Sequence, residues 1–167
     1  GSPDIGGSRA AMAMQLAEVL GISAEDVKPS VGDTDSIGYS TGAGGSGVTF
    51  KMGSACYEAA HDVKRQMIAR AARIWDVKAE DVGYDDAVLL HKHDSELRMS
   101  FAELAGMLNG TGGPIIGRAT VNPPGVGNAF AFHIVDVEVD PGTGKVEIIR
   151  FTALQDVGKA IHPAYVE

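Results

Sequence analysis

Residues 42–47 read "GAGGSG", which fits the pattern G-x-G-x-x-G letter for letter. Read as a dinucleotide fingerprint, this stretch would make the chain a doubly wound α/β protein, so the fold turns on its context. The fingerprint works because a strand runs straight into the glycine turn, a helix leaves it, and an acidic residue about 20 positions on holds the ribose. Here the nearest strand signal, Val27–Val31 in "ISAEDVKPSVGDTD", stops about ten residues before Gly42. The pattern after Gly47 is helical throughout, which puts Asp62, at the right distance, in mid-helix. No Lys follows the glycines in the G-K-[ST] manner, so a P-loop fails as well. What remains is a glycine turn with Ser46 ahead of a long helix.

That helix is the strongest signal in the chain. Val48, Met52, Cys56, Ala59, Ala60, Val63, Met67, Ala71 and Trp75 recur at helical spacing, with Lys51, Glu58, Asp62, Arg65 and Arg73 between them. Upstream, "SRAAMAMQLAEVL" (8–20) is apolar nearly all round, which predicts a helix buried on most sides, with Ser8 as N-cap and Gly21 as stop. Downstream, "AVLLHKHDSELRMS" (87–100) predicts a hairpin turning at Asp94 and Ser95, and Ser100 caps a helix ended by glycines. "PIIGRATVNPPGVGN" (114–128) reads as a strand and then a Pro/Gly loop. The last hairpin joins "AFAFHIVDVEVD" to "KVEIIRFTALQDVG" through "PGTG", and Val135, Val137 and Val139 alternating with Asp136, Glu138 and Asp140 predict a half-buried strand. Helix and strand signals interleave without a strict βαβ rhythm, so the expected class is α+β, with mixed sheets and packed helices. The glycine stretch at 110–127 is the candidate linker, giving sub-lobes 1–110 and 111–167.

Composition narrows the partners. Of 167 residues, 44% are apolar and 22% charged, a globular balance. The net charge is -8, and the basic residues scatter apart from one helix face carrying Lys64, Arg65, Arg70 and Arg73, too small a footprint for nucleic acid. The one cysteine, Cys56, rules out an internal disulfide and a four-cysteine metal site within these residues; a reducing compartment, the cytoplasm, is the expectation. No apolar run reaches the roughly 18 residues of a spanning helix, and no membrane association is expected. His91 and His93 stand at i, i+2 with no third metal ligand in sight, so chance placement accounts for them; His133 shares an apolar strand face and Cys56 lies in an apolar helix stripe, and packing accounts for both. The cluster Asp33, Thr34 and Asp35 fits a cation site and a loop turn equally.

Glycine is enriched, at 22 residues, or about 13% against a usual ~7%. "GGS" occurs twice, as Gly6-Gly7-Ser8 and Gly44-Gly45-Ser46, each leading into a helix. Helix starts expose free N–H groups with partial positive charge, and preceding glycines let a phosphate or oxyanion come close. Each dipole is worth only about 0.3–1 kcal/mol when exposed, so tight binding takes both loops. Simple helix capping explains the same spacing.

Together, "GSPDIGGSRAAMAMQLAEVLGISAEDV", "GDTDSIGYSTGAGGSGVTFKMGSACYEAA" and "VDVEVDPGTGKVEIIRFTALQDVGKAIHPAYVE" resemble the molybdopterin-binding large subunit of xanthine dehydrogenase and aldehyde oxidase type molybdenum hydroxylases. The resemblance spans both ends of the chain and is weakest between about residues 70 and 125. It implies that Gly6, Gly7, Ser8, Gly44, Gly45 and Ser46 approach the pterin, in its cytosine dinucleotide form in a bacterial parent. Many relatives carry Gln at the position of Gly7, where this chain has no side chain. It implies hydroxylation of an aldehyde or aromatic heterocycle, with electrons leaving through [2Fe-2S] centres to FAD on partner subunits or domains. The base in such enzymes is a Glu in a Gly-Val-Gly-Glu-like motif. This chain has no such motif; "PPGVGN" (123–128) is a look-alike without the Glu. The resemblance therefore implies that residues 1–167 are a fragment of the cofactor-binding region, inactive alone, whose partners are the rest of the large subunit and the iron–sulfur and FAD subunits. The competing reading is a non-catalytic α+β anion-binding or scaffold module.

Overall fold

A computed structural model of the chain describes residues 3–30, 35, 40, 42–44, 47–125 and 128–166. The chain divides into two compact units, residues 1–126 and 127–167.

In the first unit, α1 (Ser8–Leu20) ends at Gly21 in the left-handed conformation, φ 67°. A Cβ there would lie 2.6 Å from the Ala87 nitrogen, so glycine is required both by conformation and by the close approach of the turn at Asp86 and Ala87. Only Ala13, Ala17 and Leu20 of α1 are buried; Met12 and Met14 are half-buried and Arg9, Ala10 and Glu18 are exposed, so burial is one-sided. A π-helical turn, Val48–Met52, then opens α2 (Gly53–Trp75). α1 packs on α2 and on the π turn, with Gln15 lying where a Cβ on Gly53 would stand.

β1 (Val82–Asp85), β2 (Val88–His91) and β3 (Arg98–Ser100) form an antiparallel meander in that order. The β2–β3 hairpin was legible in the sequence; β1 was not, because "VGYD" is too short to show alternation. α3 (Phe101–Met107) starts with a capping box: the Ser100 hydroxyl accepts from the Glu103 N–H, and the Glu103 carboxylate accepts from the Ser100 N–H. Met67, Ala71 and Ala72 of α2 meet Val82, Leu89 and Leu104 in the core. The Tyr84 hydroxyl donates to the Leu20 carbonyl at 2.6 Å, tying the end of α1 to β1; burial pushes its pKa up to about 12.

Two strand expectations are corrected in this unit. Residues 27–30 are irregular after a 3₁₀ turn at Ala24–Asp26, not the strand expected over Val27–Val31; Pro29 lacks an N–H to give a ladder and restricts Lys28 before it. Residues 114–125 form no strand ladder; side chains of α2 take part of their backbone hydrogen bonding. The first compact unit takes in these residues as well.

The second unit holds β4 (Phe130–Val139) and β5 (Val146–Asp156), paired antiparallel from Phe130↔Asp156 to Val139↔Val146, with a bulge at Ile149 opposite Asp136/Val137. α4 (Pro163–Val166) follows. Asp140 closes the turn: its carboxylate accepts from Gly142 N–H and the Thr143 hydroxyl, and these bonds, Thr143 first, hold its pKa below the usual carboxylate value. The hairpin is as expected but the half-buried face is not. Val135, Val137 and Val139 are exposed, as are Phe132 and Ile148, because among the described residues no third strand joins the pair.

Candidate functional site

The two glycine loops differ in how far the structure bears on them. At the first, Gly7 is the N-cap of α1, with φ 81°, and Ser8 is the first helical residue. The expectation that Ser8 caps the helix is corrected. Its hydroxyl donates back to Asp4 Oδ1 at 3.0 Å, and Arg9 donates to Asp4 Oδ2 at 2.7 Å. These bonds, Arg9 first and Ser8 second, hold the Asp4 carboxyl below the usual carboxylate range. Asp4 therefore already places negative charge at the helix start, where the free N–H groups and the dipole favour it. The sequence reading missed Asp4, although an acidic residue one turn ahead of a helix is a recognisable signal. Ala11 N–H closes the first turn onto Gly7 O, and the N–H groups of Arg9 and Ala10 precede any possible helical acceptor.

Of the second loop, Gly44 is described, while Gly45 and Ser46 lie outside the described residues. A Cβ added to Gly6, Gly7 or Gly44 would meet nothing within 4 Å. Gly7 is needed for its positive φ, whereas Gly6 and Gly44 have no steric reason within the protein to lack a side chain. Gly106, Gly110 and Gly125 are equally open, so what sets Gly6 and Gly44 apart is their position ahead of helix starts. The structure brings the first α-helical turn of α2 against the middle of α1, at Gln15 and Gly53, which is about 10 Å along the axis from Ser8. Gln15 Nε2 is buried with no hydrogen-bond partner among the described residues, an orphaned donor at that junction. π turns such as Val48–Met52 occur frequently at functional sites, and this one joins the second loop to α2.

A chemistry-bearing line on α2 was also missed. Asp62, Gln66 and Arg70 stand at i, i+4 and i+8, and each bonds the backbone of residues 113–118. Arg70, expected on a solvent-facing basic stripe, is only 9% exposed; its Nη1 donates to Leu108 O, Thr111 Oγ1 and Gly113 O at 3.1–3.3 Å. The Arg118 N–H is the largest cause of the lowered Asp62 pKa. Spacing of four along one helix was the available signal.

His91 Nδ1 accepts from His93 N–H, with the rings 6.0 Å apart, and no group of three metal-ligating side chains occurs among the described residues. His133 packs on Phe151 at 5.2 Å, and Cys56 is half-buried in α2, its thiol pushed up by burial. Of the cluster at 33–35, Asp33 and Thr34 lie outside the described residues. No helix among the described residues is long and apolar enough to cross a membrane.

The profile of the molybdopterin cofactor-binding domain family matches residues 1–167. The carbon monoxide dehydrogenase large chain of Afipia carboxidovorans is 32% identical over 168 residues, 96% of this chain and 20% of that one. Among solved structures, Cu,Mo-CO dehydrogenase in its carbon monoxide reduced state matches 99% of this chain and 22% of its own, with TM-score 0.82 and 28% identity. Quinoline 2-oxidoreductase from Pseudomonas putida 86 matches the same shares, with TM-score 0.76 and 27% identity. The chain thus spans about a fifth of the length of the relatives it matches. With α+β architecture, two glycine-led helix starts and a profile match over its whole length, the chain belongs to the molybdopterin cofactor-binding domain family.

Proposed function

We propose that this chain is part of the cofactor-holding subunit of a molybdenum hydroxylase acting on an aldehyde or aromatic heterocycle, with Gly6, Gly7, Ser8, Gly44, Gly45 and Ser46 as its contacts to the cofactor. The family match over residues 1–167 carries the reading. The open backbone at Gly6 and Gly44 fits a group that must come within van der Waals reach of the main chain. When bound, the molybdenum pterin supplies the two-electron redox chemistry. This chain's residues bind: N–H groups at the start of α1 donate to an anionic end of the cofactor, and the glycines let it approach. Ser8 joins them by turning its hydroxyl away from Asp4. We place no catalytic group on residues 1–167, so the isolated chain is inactive. The cytosine dinucleotide form, [2Fe-2S] and FAD partners and a cytoplasmic location complete the proposal; the relatives' names support the redox class.

Elemental analysis of the full-length subunit tests the loops. Gly6→Val, Gly44→Val, Gly45→Val and Ser46→Pro are expected to lose most of the molybdenum, while Gly106→Ala, at an equally open glycine in α3, retains it. Normal molybdenum content in all four loop variants would sink the assignment. One observation favours a second reading for the first loop: Asp4 already satisfies Ser8 and Arg9, as in a helix start that needs no ligand. Under that reading Gly6→Val alone keeps its molybdenum.

A further inference from the structure

From residue 111 to 124 the odd-numbered residues are half-buried and the even-numbered ones exposed, without interruption. Such a period of two is that of an extended strand, yet these residues join no sheet. Helix α2 holds one edge. Gln66 Nε2 donates to Ile116 O at 2.9 Å and Arg118 N–H donates to Asp62 Oδ2 at 3.1 Å, while Arg70 anchors Gly113 O, in the turn just ahead of the extended run, at 3.1 Å. The polar ladder thus runs antiparallel to the segment, and Gly117 lets the two lie close, since a Cβ there would collide with Ala59 O and Val63.

Successive residues of a strand turn their N–H and C=O groups to opposite edges. With Ile116 and Arg118 turned to the helix, the backbone of Gly117, Ala119 and Val121 faces away, and none of these groups has a hydrogen-bond partner among the described residues. An open row of this kind is a template for another strand. Pro123 and Pro124, which lack N–H groups, end it. A groove of about 500 Å³ lies between residues 118–123 and Ser54, Glu58 and Arg65 of α2. Arg65 is paired to Asp62, but Arg118 has no ion pair among the described residues. Antiparallel pairing of two copies about residue 119 would set the two Arg118 side chains diagonally on one face, so like charge disfavours self-pairing, whereas a carboxylate on the added strand would pair with Arg118.

We propose that residues 114–122 are an edge strand, clamped by Asp62 and Gln66, which completes its hydrogen bonding with an added extended polypeptide strand carrying a carboxylate beside Arg118. The proposal is independent of the cofactor assignment, which molybdenum content reads separately.

The test uses the full-length subunit in its purified enzyme, with the photo-crosslinking residue p-benzoylphenylalanine in place of Thr120, whose side chain is exposed. Cross-linked peptides are identified by mass spectrometry, and amide exchange is followed at Ala119 and Val121. The expected result is a cross-link to an extended segment containing Asp or Glu, with both amides exchanging at least about tenfold more slowly than in an open chain. Arg118→Glu should abolish both signals and Arg118→Lys should keep them, while amides of Met67 and Ala71 stay protected in each, showing an intact fold. A cross-link to residues 114–122 of a second copy, or free exchange at Ala119 and Val121 with no polypeptide cross-linked, would overturn the proposal. So would a cross-link that survives Arg118→Glu unchanged.

Discussion

Helix α2 and the β4–β5 hairpin carry equally plain sequence signals, one with a period of about 3.6 and one with a period of 2, yet they end in opposite environments. α2 presses Met67, Ala71 and Ala72 into a core with Val82, Leu89 and Leu104. The hairpin leaves Phe132 64% and Ile148 63% exposed. Periodicity therefore fixes what an element is and which residues share a face; it does not say whether that face has a partner. The partner depends on what else the chain supplies: the first unit supplies a meander and two more helices, where the described residues of the second add only the short α4 to the pair.

The contrast is sharpest where burial is complete. Leu89 is fully buried between α2 and α3, so Leu89→Ala leaves a cavity and should cost about 2–5 kcal/mol, read from the denaturant midpoint of the first unit's unfolding. A loss under about 1 kcal/mol would mean that the core is looser than its packing indicates. Next comes Arg70. Arg70→Met fills a similar volume but strands acceptors on Leu108, Thr111 and Gly113, so a loss of about 1–3 kcal/mol is expected, with faster amide exchange over residues 108–118. An unchanged exchange pattern there would show that the clamp does not hold the segment.

Arg70 also shows where the sequence was legible and where it was not. Helices at 8–20 and 101–107, the hairpins at 88–100 and 130–156, and the α+β class follow from periodicity and caps, which are local. The strand expected at the start of 114–128 has the alternation of a strand and lacks only the ladder, because the hydrogen-bond partners of Ile116 and Arg118 are the side chains of Gln66 and Asp62, some fifty residues away. Arg70 reads as a solvent-facing cation because charge usually means exposure; nothing local announces three carbonyl and hydroxyl acceptors waiting for it. Of the site, glycine spacing marks the helix starts, but Asp4 and its hold on Ser8 depend on a turn whose geometry the sequence leaves open.

A smaller effect is expected from pH at the start of α3. The Ser100 hydroxyl first, and the Ser100 backbone second, hold the Glu103 carboxyl below its ordinary 4.5. A lowered folded pKa gives stability that is present above the unfolded value and lost as pH falls through the folded one. Amide exchange in α3 should therefore quicken as pH drops below 4.5, beyond the intrinsic trend, and Glu103→Gln, which keeps the capping geometry without the charge, should remove that step. A step that persists in Glu103→Gln would assign it to another carboxylate.

The smallest effect is expected in the hairpin, and it tests the comparison most directly. Ile148 pairs with Val137 and both are exposed, so Ile148→Thr removes no buried surface and keeps a β-branched side chain suited to a strand. Its cost should stay within about 0.5 kcal/mol, as for surface positions generally. The ladder itself is untouched, since every backbone bond between β4 and β5 survives the change. If instead Ile148→Thr in the full-length subunit costs as much as Leu89→Ala, this face of the hairpin is a core face whose partner comes from outside residues 127–167. The two regions would then differ only in where the covering surface originates, and the alternation of Val135, Val137 and Val139 would mark a buried strand after all.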